Sequence, residues 1–142
     1  MNLLLEIFLV VIFYDINFYY THRLLHTNLL WKYHKIHHKD IITNASSTFK
    51  GHIIEHSMQC VGGIIPFIIF YPKINYLGFI IGNTIAFISG IIRHEPKYYN
   101  LPILNYIYSD HHAIHHKKFN CNYSTYWIDY LHNTHYKKKL KD

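Results

Sequence analysis

Cysteine and charge are both scarce in this sequence of 142 residues. The two cysteines, Cys60 and Cys121, form no CxxC pair and lie far apart, which argues against a disulfide scaffold and against a thiolate metal site. Charged residues make up only 15% of the chain, whereas half of it is hydrophobic and arranged in long runs. This composition is typical of an integral membrane protein.

Basic residues are absent before Arg23. A cleaved signal peptide needs a basic start and a small-residue cleavage site, so the apolar run from Leu3 to Tyr20 instead predicts a retained transmembrane helix. At the rise of an α-helix this run spans about 27 Å, close to the thickness of a hydrocarbon core. Asp15 lies within the run, and we expect it either to snorkel or to face inward toward a partner.

Two further apolar runs predict a membrane hairpin over residues 57–92. Its second arm covers Ile74 to Ile92, and Pro72 and Lys73 mark the turn. Two crossings return the chain to the side that it left, so all the histidine motifs share one face of the membrane. Of the fourteen basic residues, Lys73 is the one that falls on the opposite face. The positive-inside rule therefore predicts that the histidines face the cytosol.

The net charge of +6 fits this topology better than it fits a nucleic-acid partner. Binding to nucleic acid would need a basic face with stacking or base-reading groups on a soluble fold, and the apolar runs argue against such a fold. We expect no nucleic-acid partner.

The stretch HRLLHTNLLWKYHKIHH places five imidazoles at spacings that suit a helix. His22 and His26 stand four residues apart, and His34 stands three and four residues before His37 and His38, so side chains in each set share a helix face. Neutral imidazole is the commonest metal ligand among side chains. Adjacent histidines diverge by about 100° on a helix, so the pair His37 and His38 can serve two metal ions.

The HxxHH pattern returns at His112, His115 and His116. His111 is also four residues before His115, so the register of the true ligands is ambiguous by one residue, and we favour the three residues just named. Random placement of histidines would give roughly 0.14 such patterns per chain, so two copies indicate a metal site rather than a composition effect.

The other histidines carry weaker signals. His52 and His56 stand four residues apart with Glu55 between them, and the sequence leaves open whether they bind metal or lie at a solvated helix start. His132 and His135 fall outside the repeated pattern, and we interpret them as ordinary surface residues.

Six segments taken together resemble the fatty acid hydroxylase superfamily, which includes sterol desaturases and sterol methyl oxidases. The resemblance covers most of the chain from Asp15 to Thr134, and its segments are FYYTHRLLHT, WKYHKIHHKD, GHIIEH, RHE, DHHAIHHKKFNCNY and WIDYLHNT. It implies one all-α membrane domain with about three crossings and a cytosolic, histidine-rich helical cap. Its expected parts are a transmembrane helix (1–21), a first histidine cluster (22–56), the hairpin (57–92), and a second cluster with a basic tail (93–142).

The resemblance also implies the cofactor and the residues that hold it. The expected cofactor is a pair of iron ions, although imidazole also suits zinc, which could occupy a purified sample. No catalytic side chain is expected beyond the metal ligands. Glu55, Asp110 and Asp129 would orient the imidazoles by hydrogen bonding. The implied iron ligands are His22, His26, His34, His37, His38, His94, His112, His115 and His116.

The implied activity is O2-dependent hydroxylation or desaturation of a membrane lipid: a sterol, a fatty acyl chain or a sphingoid chain. Electrons would come from a reductase or a small haem carrier in the cytosol, and the membrane would be the endoplasmic reticulum if the protein is eukaryotic. Family members usually carry a further hairpin before the first motif, so a second subunit could be needed to close a lipid cavity.

Two alternatives remain open: an inactive relative that still binds metal, and a metal-handling membrane protein. A transporter would place ligands within its crossing helices, and Ile74 to Ile92 contains no histidine or carboxylate.

Overall fold

The computed structural model describes residues 1–95 and 111–137, and these residues form helices and turns with no strand. The predicted loop from Pro96 to Asn105, Asp110 and the basic tail beyond Lys137 lie outside the described residues. The elements are α1 (Leu3–Leu25), α2 (Trp31–His34), a 3₁₀ helix (His37–Lys39), a second 3₁₀ helix (Ala45–Phe49), α3 (Ile53–Phe70), α4 (Tyr76–His94), α5 (His111–Lys118) and α6 (Tyr126–Leu131).

Helices α1, α3 and α4 are long and apolar enough to cross a membrane, which confirms the predicted all-α fold with three crossings. The first arm of the hairpin begins at Ile53, earlier than the sequence suggested. His52 explains the difference, because its Nδ1 accepts a hydrogen bond from the Ile54 amide at 3.2 Å and so caps the helix. Glu55 therefore lies on the first turn of α3.

Helix α1 packs against both arms of the hairpin, and glycines allow the close approach. A Cβ atom added at Gly62 of α3 would lie 2.6 Å from the Asn17 Cβ, and one added at Gly82 of α4 would lie 2.6 Å from the Val10 Cβ. Small residues at such contacts let helix backbones approach closely within a membrane, where van der Waals packing drives association.

A buried ion pair also joins α1 to α4. Arg93 Nη2 donates to Asp15 Oδ1 at 2.9 Å and to Ser89 Oγ at 2.9 Å. A charge within a membrane protein is stable only with such partners. Asp15 therefore faces inward, as one of the two interpretations of the sequence required, and its partner is a guanidinium rather than an imidazole.

The segment from His22 to His38 does not form one continuous helix. Helix α1 ends at Leu25, with His26 as its C-cap, and α2 begins only at Trp31. The Thr27 hydroxyl donates to the Leu24 carbonyl oxygen at 2.7 Å, a local bond that competes with continuation of the helix. The histidines therefore converge because the chain turns back on itself, and not because they share one helix face.

Candidate metal centre

Nine histidines meet at the end of the bundle where α1 and α4 finish and α3 begins. His22 lies on the last turn of α1, and His94 is the last residue of α4. The turn region after α1 supplies four of the others, and α5 supplies three.

These nine are the residues that the resemblance implied as ligands, and the structure divides them into two groups. Within each group the available ligand atoms all lie within 4.8 Å of one another. Group one consists of His22, His26, His34, His38 and His115, and group two consists of His37, His94, His112 and His116.

In group one the Nε2 atoms point at a common centre. His26 Nε2 lies 3.1 Å from His115 Nε2 and 3.2 Å from His34 Nε2. His38 Nε2 lies 3.0 Å from His34 Nε2 and 3.2 Å from both His26 Nε2 and His115 Nε2. The Nε2 atom of His22 is buried and has no hydrogen-bond partner.

Group two has the same arrangement with four rings. His37 Nε2 lies 3.1 Å from His116 Nε2 and 3.2 Å from His94 Nε2, and His94 Nε2 lies 3.0 Å from His112 Nε2. The two groups are neighbours, since the ring centroids of His38 and His116 are 4.7 Å apart.

Backbone carbonyl oxygens fix the proton on the other ring nitrogen of five of the nine histidines. A carbonyl oxygen can only accept, so each partnered Nδ1 must carry the proton, and Nε2 is left with a lone pair. The bonds run from His22 to Tyr123, from His37 to Lys50 at 2.9 Å, from His94 to Gly90 at 2.8 Å, from His115 to Cys121 at 2.7 Å, and from His116 to Asp40 at 2.9 Å.

The convergent Nε2 atoms are therefore better placed to bind a cation than to form hydrogen bonds with one another. Where both partners carry a fixed Nδ1 proton, as His37 does with His94 and with His116, the facing lone pairs have no proton to share and would repel. Two nitrogens that each lie about 2.1 Å from one ion are about 3.0 Å apart at a right angle and about 3.4 Å apart at the tetrahedral angle. The observed separations of 3.0 to 3.2 Å fall within this interval, so each group fits one metal ion.

Burial keeps these imidazoles neutral. It lowers the pKa of His34 to about 3, and together with nearby His34 and His37 it lowers the pKa of His26 to about 3. Burial and the neighbouring imidazoles lower the pKa of His116 to about 2. Burial also lowers the pKa of His115. Neutral imidazole is the form that binds metal, so the site is ready for a cation at neutral pH.

Glu55 contacts one histidine of each group. Its Oε2 lies 3.1 Å from His34 Nδ1, and its Oε1 lies 3.9 Å from His37 Nδ1. The carboxyl group is buried beside both groups, where a negative charge would partly balance cations that they hold. His34 Nδ1 and Glu55 Oε2 do not meet the geometry of a hydrogen bond, so the orienting role expected of Glu55 stays a prediction.

The remaining histidines lie outside both groups. His111 Nε2 donates to Asp129 Oδ2 at 3.1 Å, so in this structure the register falls on His112, His115 and His116. His52 is the cap of α3, and His56 belongs to neither group. His132 stacks on Tyr19 and His135 stacks on Tyr130.

A small cavity of about 40 Å³ lies between the histidines and residues of α1, α3 and α4. His22 of group one and three histidines of group two contribute to its wall, and Tyr14 and Phe18 of α1 also line it. The cavity has room for a molecule the size of water or O2 beside the imidazoles.

Fold and site together define a helical membrane protein whose histidine-only centre can hold two metal ions. The sequence model of the family described as "Fatty acid hydroxylase" matches residues 7–134. The chain belongs to the fatty acid hydroxylase family.

Curated relatives in this family carry sterol-related names. The chain is 34% identical over 123 residues to the "Probable Delta(7)-sterol 5(6)-desaturase" of Neurospora crassa. This alignment covers 83% of this chain and 34% of the relative. It is 35% identical over 123 residues to a Delta(7)-sterol 5(6)-desaturase of Schizosaccharomyces pombe, covering 83% of this chain and 39% of the relative. It is 32% identical over 131 residues to lathosterol oxidase of Rattus norvegicus, covering 89% of this chain and 42% of the relative.

The chain thus spans between about a third and two fifths of the length of these relatives. No solved structure gives a significant match to it.

Proposed function

We propose that this chain forms the membrane-bound di-iron centre of an oxidoreductase that uses O2 to hydroxylate or desaturate a membrane lipid. The observation that carries the proposal is the convergence of nine neutral imidazoles into two adjacent groups at one end of three apolar helices. A surface histidine cluster would not be buried, and it would not have its Nδ1 protons fixed by carbonyl oxygens.

Group one offers five imidazoles and group two offers four, so each can hold one metal ion. The family supplies the choice of iron, since imidazole alone also suits zinc, copper and nickel. Bound iron would supply the reductive activation of O2 that oxidation of an unactivated carbon requires.

The chain's own residues would hold and shield this chemistry. Backbone carbonyls leave Nε2 unprotonated in five of the nine histidines, and a negative charge on Glu55 would balance cations beside both groups. Tyr14 and Phe18 line the approach from the helices, where they would limit access of water to the reacting carbon.

A lipid is the substrate class that fits the position of the site. The centre lies at one end of three apolar helices, so a molecule dissolved in the bilayer could approach it along those helices. The relatives are named for sterol desaturation and sterol oxidation, which makes a sterol the first candidate. Electrons would come from a reductase or haem carrier.

The proposed orientation places the metal centre on the cytosolic side. Lys73 lies between α3 and α4 at the far end of the bundle, whereas the exposed Lys32, Lys50 and Lys117 surround the histidine end. In a variant lacking native cysteines, Lys117→Cys should react with an impermeant maleimide in sealed vesicles whose cytosolic face is outward, and Lys73→Cys should react only after detergent. The reverse pattern would refute this orientation.

Lipid profiling of cells with and without the protein tests the function. We expect one lipid class to gain species that are heavier by one oxygen or lighter by two hydrogens, and we expect the gain to require O2. The matched control is the His94→Ala protein at equal abundance, because it lacks one group-two imidazole. Equal lipid profiles for wild type and control would refute the proposed activity and would indicate a protein that binds metal without turnover.

A further inference from the structure

The loop between α5 and α6 fixes two ligands of group one through its backbone. His115 donates its Nδ1 proton to the carbonyl oxygen of Cys121 at 2.7 Å, and His22 donates to the carbonyl oxygen of Tyr123. The intervening Asn122 has a φ of 58°, a left-handed conformation that asparagine tolerates better than most residues. The positions of these two carbonyls therefore depend on a specific and unusual loop shape.

Asp129 holds that loop shape. Its Oδ1 accepts the Tyr123 amide at 2.9 Å and the Thr134 hydroxyl at 2.7 Å, and its Oδ2 accepts the Ser124 amide at 2.8 Å and His111 Nε2 at 3.1 Å. The carboxylate is fully buried, and none of these four donors belongs to the nine convergent histidines. Burial alone would raise the pKa of Asp129, but these hydrogen bonds lower it below its ordinary value, so the group stays ionised.

Three of the four histidines of group two are anchored at other places, and the fourth, His112, follows His111 on α5 and has no partner at its Nδ1. The carbonyl oxygens that accept from His37 and His116 belong to Lys50 and Asp40, whose side chains pair with each other at 2.7 Å. His94 donates to Gly90 within its own helix. Among the residues that the structure describes, no contact connects Asp129 directly to any of these three carbonyl oxygens.

We infer that Asp129 is a positioning residue for one metal ion, the ion of group one, and that it acts through the Cys121 and Tyr123 carbonyls without touching a ligand. This inference rests on the proposed function for the presence of two ions. It adds that the carbonyl oxygens that accept from the two groups lie in separate parts of the chain: in the loop held by Asp129 for group one, and in α4 and the 40–50 segment, which the Asp40 and Lys50 ion pair closes, for group two.

The test measures Co²⁺ binding by chelator-stripped, purified protein, with visible absorption reporting coordination. The His112→Ala, His116→Ala double variant leaves group one, and the His34→Ala, His38→Ala double variant leaves group two. Adding Asp129→Asn should weaken Co²⁺ binding about 10- to 100-fold in the first background, the range for loss of an outer partner of a metal ligand. In the second background we expect the affinity to change by less than about twofold.

Two matched variants complete the design. Thr134→Val removes one hydrogen-bond donor to Asp129 and keeps the carboxylate. It should weaken Co²⁺ binding only in the first background, and by a smaller factor than Asp129→Asn does. It keeps the test possible even if Asp129→Asn fails to fold. Asp40→Asn should weaken only the second background, and only slightly, because Lys50 is half exposed and its charge is screened.

Equal weakening of both backgrounds by Asp129→Asn or Thr134→Val would overturn the inference, since it would make Asp129 a general support of the fold. Unchanged binding in the group-one background would also overturn it. Parent double variants that both fail to bind Co²⁺ would overturn the metal centre itself, and with it the inference. Intact Co²⁺ binding without any lipid product would refute only the proposed enzyme activity.

Discussion

Alanine at either His37 or His115 should abolish lipid oxidation, although the two residues belong to different groups. His115 Nε2 lies 3.1 Å from His26 Nε2 in group one, and His37 Nε2 lies 3.1 Å from His116 Nε2 in group two. Each substitution removes one convergent imidazole from a buried site. Since the proposed function needs both ions for the reduction of O2, the loss of either group should stop turnover.

The double variant should be no worse than either single variant, because residues that act as a unit are strongly non-additive. His135→Ala is the control, and it should be nearly neutral because His135 stacks on Tyr130 outside both groups. The measurement is lipid product per metal-replete protein. Full metal content and turnover in His115→Ala, with both lost in His37→Ala, would show that the two HxxHH segments do not form one site.

The second prediction is that the two groups can be emptied one at a time. Wild-type protein should hold about two metal ions per chain, because one ion with four to six ligands cannot use nine imidazoles. Removing two histidines from one group should leave about one ion per chain, whichever group is chosen, because the other group keeps all its ligands. Loss of both ions from either double variant would mean that the groups cannot bind metal independently.

The sequence carried much of the information about the site. The divergence of adjacent histidines was the basis for expecting that His37 and His38 serve different ions, and the structure assigns them to different groups with rings 88° apart. The same holds for His115 and His116, whose rings are 90° apart. Spacing could predict this because the divergence is a local property of helical backbone, even in a turn as short as His37–Lys39.

Spacing could not predict how the chain brings the motifs together. The turn that follows Leu25 depends on Thr27 and on tertiary packing, so the first five histidines converge without a continuous helix. The carbonyl oxygens that fix the Nδ1 protons are invisible in a sequence, because every residue carries one. The sequence shows Asp129 as a carboxylate in an apolar stretch. It does not show that backbone amides are among its partners, because only the fold places them nearby.

The sequence contains a partial signal for the buried ion pair between α1 and α4. Asp15 and Arg93 are opposite charges in two apolar helices, and each is too costly to bury alone. Their pairing could have been suggested from the sequence once α1 and α4 were taken as neighbours. The spacing of the sequence does not show this pairing, because 78 residues separate the two.

The ratio of metal to protein tests the two-ion centre most directly. Wild-type protein should be purified in mild detergent from metal-replete cells, freed of loosely bound ions, and measured by elemental analysis against quantitative amino-acid analysis. We predict about two metal ions per chain, either iron or zinc in the place of iron. The X-ray absorption spectrum should show nitrogen ligands around them. A reproducible ratio near one would contradict the two-ion centre and favour a single mononuclear site.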